Sequence, residues 1–129
     1  MPKPTIPHER NALACGPEIG HDKLNLKGRI WLEKDGKTFL SWGRVVLLER
    51  IDQAGSLSAA ARSMGMSYSH AWNLVEEMNC LAVSPLVEKQ AGGVSGGGAR
   101  LTEAGRQAIA RFWRLVEEFR RWVDERQAD

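Results

Sequence analysis

Gly55-Ser56-Leu57-Ser58-Ala59-Ala60-Ala61-Arg62-Ser63-Met64-Gly65-Met66-Ser67-Tyr68-Ser69-His70-Ala71-Trp72 is the stretch whose reading decides the fold. It reads as a short helix, a glycine turn and a second helix that opens on small polar and aromatic residues. Leu57, Ala60, Ala61 and Met64 fall at i, i+3, i+4 and i+7, a single helical stripe, and the alanines allow close packing. Ser56 or Ser58 caps this helix. Gly65 supplies the turn, where a side chain at positive φ is costly. Ser67 caps the following helix, which runs to about Leu81. Its inward stripe is Ala71, Leu74, Val75, Met78 and Leu81, and its outward face carries Ser69, His70, Asn73, Glu76 and Glu77. This is a helix-turn-helix signature, a geometry whose second helix is built to lie in a DNA major groove.

Working outward, Leu24, Leu26, Ile30 and Leu32 alternate with Asn25, Arg29 and Glu33, which predicts a strand. Asp35-Gly36 offers a tight turn into Thr38-Phe39-Leu40, so a hairpin is expected. Ser41 caps a helix over Trp42–Ala54, and Gly55 stops it. Val45, Val46, Leu47, Leu48 and Ile51 are apolar over more than one face, which predicts cover on both sides and points to a partner subunit. After Pro85, Leu86–Lys89 reads as a short strand with Ala99–Leu101 as its return partner. Five glycines in the nine residues from Gln90 to Gly98 leave few side chains to pack, so a mobile wing is expected there. Thr102 caps a last helix reaching about Arg126, with Glu103 near its positive end. Ala108, Phe112, Leu115, Phe119 and Trp122 recur at helical spacing, widened by Ile109, Val116 and Val123. So broad a stripe predicts an isologous dimer built from Val45, Leu48, Phe112, Leu115, Phe119 and Trp122.

The expected fold class is therefore mainly α (α+β): a winged helix-turn-helix with an N-terminal β-hairpin, a glycine-rich wing and a long C-terminal dimerisation helix. Residues 1–22 hold four of the five prolines and no periodicity, and read as a flexible arm; residues 23–129 form the domain. A chain of 129 residues that is 43% hydrophobic supports one modest core.

The formal charge is only +2, weak for a nucleic-acid binder, so any positive field must be local. Cys15 and Cys80 form no disulfide framework or C-x-x-C pair, which fits a reducing cytoplasm. Cys80 falls in an apolar helical pattern and is expected in the core. The spacing of His8, Cys15 and His21 matches no ligand pattern, so neither metal nor cofactor is expected. No apolar run long enough for a membrane span and no secretory signal appears. The glycine loop lacks the Lys-Ser/Thr of a phosphate-binding loop. No nucleophile–base pair or carboxylate dyad is visible, so an enzyme is not expected.

DNA affinity comes largely from phosphates and specificity from base edges. The third helix has no Lys or Arg. Its first turns must work through hydroxyls, His70, Asn73 and the helix dipole. Ser67, Tyr68 and Ser69 can donate to phosphates or bases, and Asn73 can pair with adenine or be a plain exposed residue. His70 is a phosphate donor when protonated, or a simple surface histidine. Trp72, beside the core stripe, reads as packing rather than base stacking. Arg62 on the second helix and Lys89 and Arg100 at the wing are the expected phosphate clamps, with Arg44 and Arg106 near helix starts as further positive charge.

Gly55–Ala61, Met66–Trp72, Glu76-Glu77-Met78-Asn79, the glycine wing and Leu101-Thr102-Glu103-Ala104-Gly105 together resemble the DNA-binding domain of the molybdate-responsive ModE regulators. More distantly, the architecture is similar to the winged helix-turn-helix of LysR-type regulators. The resemblance covers roughly Leu24 to Val123. It implies a homodimeric transcription factor acting on double-stranded DNA and controlling molybdenum uptake genes. Full-length members carry a C-terminal molybdate-binding domain; this chain stops at Asp129, so molybdate is not expected to bind it. The family commonly has lysines where this chain has Ser69 and Val94. That difference leaves an alternative open: a winged-helix protein-interaction module with weakened DNA binding. A third reading, an oxyanion or metal sensor, rests only on His8, Cys15 and His21.

Overall fold

The computed structural model describes residues 24–90 and 98–127. Two strands, β1 (Leu32–Lys34) and β2 (Lys37–Leu40), precede three helices, α1 (Trp42–Ala54), α2 (Leu57–Ser63) and α3 (Tyr68–Leu81). Strands β3 (Val87–Gln90) and β4 (Gly98–Leu101) follow, and the long helix α4 (Glu103–Gln127) closes the order. The predicted flexibility of residues 1–22, the His8/Cys15/His21 set and the wing residues 91–97 lie outside the described residues.

Most boundaries follow from single capping residues. Ser41, Ser56 and Ser67 accept from the backbone N–H three residues on, opening α1, α2 and α3. Of the two serines offered for α2, Ser56 is the cap. Thr102 does the same for α4, its Oγ1 accepting from Gly105 N at 3.0 Å. Gly55, in the left-handed region, ends α1. Asp35 and Gly36 turn the first hairpin, both with positive φ, as a tight type I′ turn requires.

The predicted strand over residues 24–31 does not form; β1 begins at Leu32. Its partner β2 has only four residues, and the register ends at Leu32 opposite Leu40, so nothing remains for earlier residues to pair with. They run along the end of α4 instead. The Gln127 side-chain amide takes over the role of a strand neighbour, accepting from Leu26 N and donating to Leu26 O. Gly28 lies so close to α4 that a Cβ there would stand 2.8 Å from Phe119 Cζ.

α1 sits at the centre. Val45, Leu47, Leu48 and Ile51 are fully buried, and α2, α4 and β4 all contact the helix. The two-sided apolar pattern is thus satisfied inside one chain. Val45 and Leu48, expected at a dimer interface, are core residues, and so is Phe112 on α4; none has surface to offer a second chain. Cys80 is also corrected: it is exposed. The buried positions of α3 are Ala71, Val75 and Met78, and Cys80 lies two residues past Met78, a spacing that turns its side chain to the other side of the helix.

Gly105 is where α4 crosses the start of the wing. A Cβ there would strike both Leu86 O and Leu101 Cδ1. Gly43, near the start of α1, has nothing within 4 Å of its Cβ position. Chemical denaturation should show Gly105→Ala losing about 2–3 kcal/mol by overpacking against backbone, and Gly43→Ala gaining roughly 0.5 kcal/mol. Equal effects at the two sites would contradict this packing.

Candidate nucleic-acid interface

The turn between α2 and α3 sets the direction of α3. Met66 N donates to Ala61 O at 3.0 Å and Gly65 N to Arg62 O at 3.1 Å. With Gly65 at positive φ, these bonds form a Schellman motif, which ends α2 sharply and satisfies its last carbonyls. Ser67 then starts α3, its Oγ accepting from His70 N at 3.1 Å. The Ser67 acceptor is therefore committed to the cap, while its hydroxyl proton stays available to a ligand. Ser67, Tyr68, Ser69, His70 and Asn73 are all exposed, forming a polar surface on the first turns of α3 while Ala71 and Val75 anchor the other side.

The wing is fastened to this helix. Asn79 Oδ1 accepts from Leu86 N at 2.8 Å and Val87 N at 3.4 Å, and Nδ2 donates to Val87 O at 3.0 Å. At the wing's far side, Ala99 N donates to Gly55 O at 3.3 Å, and Gly98 bridges to Ser56. The wing therefore begins on α3 and returns against the α1–α2 turn. In the sequence, Asn79 stands out only through the family resemblance. The usable signal was a poor helix former inside a helix, next to the buried Met78, where its amide needs a partner.

The cations are distributed unevenly. Arg44 is unavailable to a phosphate: its side chain is only 14% exposed, donates to Thr38 O at 3.1 Å, and pairs with Glu77 at 2.6 Å. Arg106 is shared between Asp52 at 3.7 Å and Glu103 at 3.9 Å. Lys34 donates to Leu81 O at 2.7 Å, placing a cation at the negative end of α3. Arg100 lies across the wing from Glu88 and pairs with it at 2.7 Å. Lys89 sits over the Trp72 ring, its Nζ 4.0 Å from the centroid. Arg62, exposed in the last turn of α2, has no side-chain partner among the described residues. The structure thus places Arg62, the α3 residues, Lys89 and Arg100 on the helix-turn-helix and its wing, and ties Arg44 to Glu77 further along α3 and Arg106 to Asp52 and Glu103. Trp72 is half-buried and packs on the core.

The remaining predicted dimer residues lie along α4. Leu115 and Phe119 are half-buried, and Trp122 is 46% exposed. Phe119 and Trp122 stack with centroids 6.0 Å apart, and the Arg126 guanidinium lies 4.1 Å from the Trp122 ring centre. Among the described residues no group of His, Cys, Asp or Glu could hold a metal ion, and no helix is long and apolar enough to cross a membrane.

Comparison with known proteins accords with this geometry. The family model described as bacterial regulatory helix-turn-helix protein, lysR family, matches residues 42–106, from the start of α1 into α4. The chain is 51% identical over 100 residues to the molybdenum-pterin-binding protein MopB of Rhodobacter capsulatus, covering 78% of this chain and 37% of that one. It is 42% identical over 96 residues to the molybdenum transport protein ModE of Azotobacter vinelandii, covering 74% and 36%. It is also 42% identical over 86 residues to the DNA-binding transcriptional dual regulator ModE of Escherichia coli K12, covering 67% and 33%. The matched region is thus about a third of the length of each of these relatives.

If Asn79 is the fastening between α3 and the wing, Asn79→Ala should cost about 1–3 kcal/mol by stranding backbone groups. Amide exchange should accelerate most at Leu86–Lys89. Acceleration spread evenly over α1 and α4 instead would mean that Asn79 serves the core rather than the wing.

Proposed function

The chain belongs to the lysR family of bacterial regulatory helix-turn-helix proteins, and on that premise we propose that it is a sequence-specific DNA-binding transcriptional regulator of the ModE type. In this reading it acts as a homodimer and is linked to molybdenum metabolism, as the names of its relatives suggest. The observation that carries the reading is the exposed polar start of α3, flanked by Arg62 and by a wing fastened to the same helix. Ser67, Tyr68, Ser69 and His70 contact the DNA backbone or bases, and Asn73 reads a base edge. Leu115, Phe119 and Trp122 form the dimer contact, which places two reading helices for a two-fold symmetric site.

Charge favours a second reading in one respect. Arg44, Arg106 and Arg100 are all paired with carboxylates, and α3 carries Glu76 and Glu77. A winged helix so neutralised also suits a protein-interaction module.

Selection from a randomised duplex pool at several salt concentrations separates the two. The regulator reading expects an enriched palindromic motif. With Arg62, Lys89 and Arg100 as the clamps of each protomer, log K should fall against log salt with a slope no steeper than about −5. No retention even at low salt would overturn it. Arg100→Ala should weaken all sequences alike and flatten the slope, whereas Asn73→Ala should relax one base position; an unchanged motif would remove Asn73 from base reading. Glu88→Gln should tighten binding up to about fivefold by releasing Arg100. In sedimentation, Trp122→Glu should convert a dimer to monomer; a wild-type monomer at tens of micromolar would end the dimer assignment.

A further inference from the structure

Lys89 differs from the other wing cation in how it is held. Arg100 is paired with a carboxylate, which offsets part of its field towards an approaching phosphate. Lys89 lies on an indole, with no ion pair among the described residues. An aromatic face attracts a cation through its quadrupole and carries no net charge. Lys89 is therefore fixed in place without being neutralised.

The placement follows from the strand. Successive β residues point to opposite faces. Val87, two residues before Lys89, is buried and bound through its backbone to Asn79 of α3. Ala99, directly across the ladder from Lys89, is buried too. The face that carries Lys89 is thus the one turned to α3, while Glu88 and Gln90 take the other. Trp72 lies on α3 one turn after Tyr68, at the end that bears the exposed polar residues.

We propose that Trp72 is a positioning residue for DNA binding: its ring holds the Lys89 ammonium beside the first turns of α3, so that the wing's cation and the reading helix meet the duplex as one unit. The partner group is a backbone phosphate next to the groove that α3 enters. α3 has no Lys or Arg of its own, and this arrangement lends it one from the wing. The inference rests on the DNA-binding reading of the preceding section and assigns Trp72 a part that packing on the core does not require.

The test is a double-mutant cycle on the full chain, read as affinity for a duplex recovered by selection, over a range of salt. Lys89→Ala should flatten the salt slope by about 1 per protomer. Trp72→Leu should weaken binding about threefold per protomer when Lys89 is present, in line with an exposed cation–π contact, and have no further effect in Lys89→Ala. Trp72→Phe and Lys89→Arg should each retain most of the affinity; if Trp72→Leu does not fold, Trp72→Met, large but without an aromatic face, takes its place in the cycle. A readout without DNA is the NMR shift of the Lys89 ε-methylene protons, which should lie upfield through the ring current and return to the free-lysine position in Trp72→Leu. Equal losses from Trp72→Leu with and without Lys89, or unshifted methylene protons in the wild type, would overturn the proposal and leave DNA binding intact. If the wild type binds no duplex at low salt while the protons are shifted, the DNA-binding reading fails and the functional role of the contact fails with it.

Discussion

Two helices hold one short stretch of backbone, Pro85–Val87, and the arrangement of α3, the wing strands and α4 depends on it. Asn79 reaches it from α3, bonding the N–H of Leu86 and both polar groups of Val87. Thr102 reaches it from the start of α4, its backbone N–H donating to Leu86 O and its hydroxyl lying 2.7 Å from Pro85 O and 3.1 Å from Leu86 O. Gly105 lets α4 come close enough for this contact, since any Cβ would strike Leu86 O. Buried peptide groups that lose their partners cost more than the net worth of the bonds themselves. A shift of any one element would therefore strand groups belonging to the other two, which is why the wing has a defined position against α3.

Around this junction the surface charges follow a consistent division. Cations that stabilise the scaffold are matched to specific acceptors: Arg44 to Glu77 and Thr38 O, Lys34 to Leu81 O, Arg50 to Ser63. The first two act on α3, one partly cancelling its acidity and the other complementing its C-terminal dipole. The positive charge remaining near the polar start of α3 comes from Arg62 and the wing. A protein of net charge +2 can thus present a local positive field, although α3 is acidic.

Much of this was legible in the sequence because it was encoded locally. Ser41, Ser67 and Thr102 announce helix starts, and Gly55 and Gly65 announce the positive-φ positions that end α1 and α2; such signals act within one turn. Non-local outcomes were less legible. The alternation Leu24–Leu32 has the period of a strand, but a strand also needs a partner, and β2 is too short to provide one. The two-sided pattern of α1 does imply cover on both sides. What covers it, α4 and β4, lies more than forty residues away in the chain. For the same reason Val45, Leu48 and Phe112 were assigned to a dimer contact that their burial excludes. At the site, the exposed start of α3 and the cations Arg62, Lys89 and Arg100 were legible in the sequence. It did not supply their partners, because Glu88 opposite Arg100 and Lys89 over Trp72 depend on strand register and on the docking of the wing.

The central claim is that the first turns of α3 and the wing form one DNA-binding face. Backbone amide shift mapping during titration with a short duplex at low salt tests it most directly. The account predicts perturbations gathered at Arg62, Ser67–Asn73 and the wing strands around Lys89 and Arg100, moving together along one binding curve. Perturbations confined to the Leu115–Trp122 face of α4, or an α3 start that stays silent while the duplex binds elsewhere, would contradict it.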